Sequence, residues 1–137
     1  MTFLRGTRRL NPFRWDRSTG RLARYGLGLL VATKLGDVLT TLAGLRLPNA
    51  RESNPVAAAA IHTFGVFPGL LALSVSTVAV VALVTELGVF SISLRDDADV
   101  WMVAAVRVVG YVFPSLVYVC VDVHNLFVLV GLGNGHV

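Results

Sequence analysis

The sequence predicts an all-α, polytopic helical membrane protein with three transmembrane helices and one short interfacial or re-entrant helix. Two observations predict it. Only 15% of the 137 residues are charged and 55% are hydrophobic, with a mean hydropathy of +0.71, whereas soluble domains carry roughly 25% charged residues. A soluble enzyme of this size would leave too much apolar surface in water. The few charges also avoid three stretches. Residues 25–45 are apolar apart from Lys34 and Asp37, residues 56–85 contain no Asp, Glu, Lys or Arg, and residues 100–132 contain only Arg107 and Asp122. A helix needs about 20 apolar residues to cross about 30 Å of hydrocarbon, and all three stretches are long enough. Buried helices of a soluble bundle would need polar outer faces, and Pro68 to Leu83 offers nothing more polar than Ser and Thr on any side.

Residues 1–24 form a basic tail. They hold Arg5, Arg8, Arg9, Arg14, Arg17, Arg21 and Arg24 against one acid, Asp16, while the other 113 residues carry five basic and seven acidic side chains. The pI near 10.0 therefore describes the tail. Positive charge beside a membrane segment is retained in the cytoplasm, so the N-terminus is expected inside and, after three spans of the cell membrane, the C-terminus outside. A cleaved signal peptide is the competing account of a basic start followed by an apolar run. It fails because the run is long, contains Lys34 and Asp37 and lacks a small-residue cleavage site. The arginines alternate with Phe3, Phe13 and Trp15. In a membrane chain the nearest anions are lipid headgroups, each arginine contributing on the order of 1 kcal/mol, so headgroups and not nucleic acid are the expected partner. Arg9-Leu10-Asn11-Pro12 and Ser18-Thr19-Gly20 predict short turns within the tail.

The transmembrane domain is expected over residues 25–132. Its first span covers about 25–46 and ends in the turn Leu47-Pro48-Asn49-Ala50. Pro55 then suits the first turn of a helix, with Ser53 or Asn54 as its N-cap and Ala57 to Ala60 supplying propensity. That helix, about 55–64, is too short to cross before Gly65 and Pro68, which makes it interfacial or re-entrant on the outer face. The second span, about 68–88, returns with Glu86 near its inner end. The third covers about 105–131, with Arg107 snorkelling to the inner headgroups and Pro114 predicting a kink, and residues 133–137 form a C-terminal tail. Cys120 is the single cysteine, so it makes no intramolecular disulfide and its expected role is packing.

Charges inside spans are informative, because each costs about 2.5–3.5 kcal/mol at the centre of an inserting helix. Lys34 and Asp37 stand three apart, close enough to pair. Thr33, Asp37, Thr40, Thr41 and Gly44 follow helical spacing, so one face of the first span is polar and should point at protein. If the third span is taken from Val108, Asp122 falls within about 1.5 Å of the depth of Asp37. Starting it at Trp101 moves Asp122 to the outer edge. Asn125 shares a face with Asp122, and His124 points elsewhere.

Two readings of these residues stand side by side: polar glue between helices, or a proton, ion or polar-ligand site between the first and third spans. An enzymatic reading finds little support. Aspartyl intramembrane proteases carry Tyr-Asp and Gly-x-Gly-Asp where this chain has Val121-Asp122 and Lys34-Leu35-Gly36-Asp37. Gly-x-Ser-x-Gly and His-Glu-x-x-His do not occur. His62, Glu52 and His124 lack metal-ligand spacing. No catalytic residue, metal or cofactor is assigned.

Asp37-Val38-Leu39-Thr40-Thr41 followed by Glu52-Ser53-Asn54-Pro55 resembles the signature of a family of small archaeal and bacterial membrane proteins of unknown function, which pairs D-x-x-x-T in a first span with E-x-N-P just after it. Asn125 resembles a polar position in that family's last span. The resemblance covers roughly residues 25–131 and omits the arginine-rich tail. The family's lysine early in the second span has no counterpart between Gly69 and Val84. The resemblance implies a fold and a location but no activity. It adds Glu52 and Asn54 to the polar set, because a re-entrant turn would bring them down onto Asp37 and Thr41.

The expected cluster is therefore Lys34, Asp37, Thr40, Thr41, Glu52, Asn54, Asp122 and Asn125. The expected function is that of a non-enzymatic accessory or binding protein of the membrane. The alternatives are a protomer of an oligomeric ion or small-solute transporter or channel and, third, a membrane-embedded hydrolase. A homo-oligomer or a membrane partner protein fits the first two.

Overall fold

The computed structural model describes residues 17–47, 52–95 and 97–133. The described residues form helices and no strand. The first long helix, α1, runs Arg17–Gly44, and α2 is the short helix Pro55–Phe64. The second long helix, α3, is Val66–Ser93. The third is built from α4 (Val100–Arg107), a π-helical turn (Val108–Val112) and α5 (Phe113–Gly133). Three helices, Thr19–Gly44, Val66–Ser93 and Val100–Gly131, are long and apolar enough to cross a membrane. Their large apolar side chains face outward, with Leu39 65%, Val84 64% and Phe127 74% exposed. Such faces suit hydrocarbon and would be costly in water. The protein is a helical membrane protein with three long helices and one short one.

Contacts along the helices give the topology. Gly26 meets Tyr111, Gly36 meets Asp122, and Gly44 meets Leu129, and Asn125 bonds to Thr40. The offset is constant to within one residue, so α1 and the third long helix run parallel. Thr85 covers Gly110 and Val106 covers Gly88, which sets α3 antiparallel to that helix. The chain goes up, down and up.

Helix α1 begins eight residues before Tyr25, so Ser18-Thr19-Gly20 is a helical turn and not the break expected of it. The reason is tertiary: the Thr19 carbonyl accepts a bond from the Arg107 guanidinium at 2.8 Å, which anchors the first turn against the third long helix. Arg5, Arg8, Arg9 and Arg14 lie outside the described residues, as do residues 48–51 and 134–137. Arg21 and Arg24 are exposed on α1.

Helix α2 stacks back on the start of α3. Gly65 makes the corner with φ of 90°, a backbone conformation that only glycine adopts without strain. Gly69 sits so close to α2 that an added Cβ would lie 2.5 Å from the Ala60 carbonyl oxygen. Ala57, Leu70 and Val38 then form one buried apolar knot among α2, α3 and α1, with Leu42, Leu45, Ile61 and Leu73 around it. Three buried hydroxyls are satisfied within their own helices: Ser74 donates to the Leu70 carbonyl, Thr85 to Val81 and Ser115 to Tyr111. Hydrocarbon supplies no partners, so this saturation is required.

Pro114 stands two residues past the last residue of the π-helical turn. Proline cannot donate to the carbonyl four residues back, and widening the preceding turn is one way a helix accommodates that loss. The irregularity thus falls next to the proline. It also keeps Arg107, Tyr111 and Ser115, which are four apart, buried on one face.

Candidate functional site

Two polar centres occupy opposite ends of the three-helix seam. The first lies at the α2 end. Lys34 is 8% exposed, and its Nζ donates to Asp37 Oδ2 at 2.6 Å. The same ammonium sits 4.3 Å from the centroid of the Tyr118 ring. A cation over an aromatic face gains electrostatically from the ring quadrupole, so Lys34 is held from two sides. Thr40 donates to the Asp37 carbonyl at 3.1 Å and accepts from Asn125 Nδ2 at 3.3 Å, which ties α1 to α5.

Asp122 packs against the backbone of α1. An added Cβ on Gly36 would lie 2.6 Å from its Oδ2, so the absence of a side chain at residue 36 is what admits the carboxylate. Its other oxygen, Oδ1, is buried without a hydrogen-bond partner among the described residues. A buried carboxylate oxygen in that position is costly unless the surrounding charge or a further ligand compensates it.

The E-x-N-P segment acquires a local explanation. Glu52 Oε1 accepts from the Asn54 backbone N–H at 2.8 Å. Asn54 Oδ1 accepts from Val56 N at 3.0 Å and Ala57 N at 3.4 Å, capping α2. Pro55 begins the helix, where its missing N–H costs nothing. The acid holds the cap, and the cap starts the helix.

These segments enclose a cavity of about 280 Å³, against the roughly 10–15 Å³ that a single water needs. Lys34, Asp37, Thr40, Thr41, Glu52, Asn54 and Asn125 all line it. Val38, Leu45, Leu70, Val121 and Val128 supply an apolar wall. Of the eight expected cluster residues, Asp122 is the exception: it is not on the cavity wall and is seated instead between α1 and α5. His124, expected to point elsewhere, lines the cavity, because the third long helix presents a broader face to the opening than its Asp122–Asn125 stripe alone. His62 is exposed on α2 and does not line the cavity. Among the described residues no three His, Cys, Asp or Glu side chains stand together as metal ligands do.

The second centre lies at the opposite end of the seam. Arg107 is 1% exposed. Its Nε and Nη2 reach Glu86 Oε1 and Oε2 at 3.2 and 2.8 Å, and its Nη1 reaches the Thr19 carbonyl. Tyr111 donates to Glu86 Oε1 at 3.0 Å. The expectation that Arg107 snorkels to headgroups is overturned: the guanidinium turns inward because a carboxylate on α3 offers the fork-to-fork geometry that a planar cation matches. Sequence reasoning missed this centre, and it missed Tyr118. Signals for both existed. Glu86 and Arg107 are charges at the same end of adjacent antiparallel spans, and Tyr118, Asp122 and Asn125 follow helical spacing.

No curated protein and no solved structure matches this chain. A family model does match, over residues 28–131, a range that holds the interacting side chains of both polar centres and every residue of the cavity wall while leaving out the basic tail and Thr19. The chain therefore belongs to the family described as a domain of unknown function, DUF5658.

Proposed function

We propose that this chain is a non-enzymatic, membrane-embedded binding protein whose cavity at the α2 end takes a small polar ligand. The observation that carries the reading is the convergence of ten polar residues from four separate segments on one cavity. Pure helix glue brings polar groups into contact and leaves no room between them. Here Thr41, Glu52 and Asn125 face open space, and binding sites combine such an apolar wall with a few converging polar groups. The cavity reaches no further along α1 than Lys34 and no further along α3 than Ser74, and beyond it the seam is closed by the Arg107 centre. A pocket that ends within the helical seam favours binding over conduction.

The test is thermal unfolding of the purified protein in detergent with sodium chloride, potassium chloride, butylammonium, butyrate and n-butanol as probes. A saturable rise in Tm with at least one probe is expected, and Thr41→Phe, which fills the cavity, should abolish it. No saturable shift from any probe would sink the reading.

In the same reading the arginine-rich tail lies on the anionic cytoplasmic leaflet, which puts the cavity on the outer side. Cysteines placed at Ser18 and Asn134 in a Cys120→Ser background should be modified from opposite sides of a sealed vesicle by an impermeant reagent. Modification of both from one side would refute the three-span orientation.

A further inference from the structure

We infer that the ligand of this cavity is a small organic ammonium ion, a cation on a short hydrocarbon body. The inference rests on the binding reading above and narrows it by charge and by shape.

The charge argument starts from what is already satisfied. The one ammonium at the site, Lys34, is engaged by Asp37 and by the Tyr118 ring. The α2 N-terminus would otherwise attract an anion, but Asn54 Oδ1 already takes the Val56 and Ala57 N–H groups. Neither positive feature is left open to a ligand. On the negative side, Glu52 uses one oxygen to hold Asn54 and lines the cavity, and Asp122, alongside Lys34 and Asp37, keeps Oδ1 buried without a partner among the described residues. Two carboxylates, Asp37 and Glu52, therefore line the cavity with one ammonium, and a third, Asp122, sits beside them between α1 and α5. A site with low-dielectric walls and an excess of one sign concentrates the opposite charge.

The shape argument separates an organic cation from a bare metal ion. Among the described residues the carboxylates do not gather as metal ligands do; Asp37 and Glu52 sit on different segments around about 280 Å³ of space. Metal cages hold oxygens at 2.0–2.6 Å from one point, whereas an ammonium on a carbon chain reaches separated acceptors while its body lies along Val38, Leu45 and Val128. Lys34 displays the chemistry: an alkylammonium is already held there between a carboxylate and an aromatic ring.

Equilibrium titrations of the purified full chain, read by Tm, test it with butylammonium, its anionic counterpart butyrate, its neutral counterpart n-butanol, and sodium. Butylammonium alone should give a saturable shift. Glu52→Gln should weaken its apparent affinity about tenfold or more, as the loss of one charge-assisted contact does, and Asp122→Asn, which removes a charge behind the wall and no contact, should weaken it by less. Glu52 lies at the end of the helical seam, so Glu52→Gln keeps the test decisive if Asp122→Asn does not fold. A saturable shift by butyrate, n-butanol or sodium that Thr41→Phe removes, without one from butylammonium, would overturn the ammonium assignment and leave the binding reading standing. Butylammonium binding unchanged in both carboxamide variants would also overturn it. Absence of a shift from every probe would remove the binding reading and this one with it.

Discussion

Replacing Arg107 with methionine is expected to destabilise the protein by about 3 kcal/mol, the lower end of what removing one partner from a buried ion pair costs, because the Glu86 side chain is one-third exposed. The size of the effect follows from what is left behind. Glu86 would lose both guanidinium donors and keep only the Tyr111 hydroxyl, and the Thr19 carbonyl at the start of α1 would lose the donor from Nη1. All three long helices meet at this one cation, so its loss should loosen the N-terminal turn of α1 as well as the α3 contact. Chemical denaturation in detergent measures the loss. The double variant Arg107→Met with Glu86→Met should recover part of it, because removing both charges removes the unpaired carboxylate. An Arg107→Met protein as stable as wild type would mean that the pair contributes nothing to the packing.

The second large effect is expected at Lys34. Lys34→Met removes the ammonium paired with Asp37 and leaves Asp37 and Asp122 as neighbouring carboxylates, one of them with an oxygen already lacking a partner among the described residues. A loss on the order of 3 kcal/mol follows from a buried pair broken in this way. Lys34→Met with Asp37→Asn should be more stable than Lys34→Met alone, since the second change removes one of the two like charges. A Lys34→Arg variant should fall between, because a planar guanidinium does not fit the compact position between a carboxylate and the Tyr118 ring. If Lys34→Met unfolds like wild type, Lys34 is not the counterion that holds this centre together.

The two centres differ in how legible they were. Lys34 and Asp37 lie three residues apart on one helix, and the rule that such residues meet is local. Thr40 and Asn125 were placed by helical spacing on faces that had to point at protein. Asp122 was harder. Counting from span centres gave the right level only for one choice of where the third span starts, and the helix in fact begins at Val100. What places Asp122 beside Asp37 is Gly36, whose missing side chain admits the carboxylate. Arg107 was misread because snorkelling is the default for a lone arginine near a helix end, and the default fails when a carboxylate on a neighbouring helix lies at the same level. That level is set by how α3 and the third long helix are registered, through contacts such as Thr85 on Gly110, and no local rule supplies it.

The sequence by itself determined the class of this protein, the number and rough position of its helices, the short helix capped by Asn54, and the polar faces of the first and third spans. These depend on composition, on helical spacing and on capping chemistry, all of which act within a few residues or through the solvent. Only the tertiary structure decided that the polar faces leave a cavity between them, that Glu52 lines that cavity, that Lys34 rests on Tyr118, and that Arg107 turns inward to Glu86. Those outcomes depend on the register between helices, which small residues at Gly26, Gly36, Gly69 and Gly110 set by how closely they let the helices approach. Register is a property of pairs of helices, and a single apolar span carries too few distinguishing side chains to announce its partner.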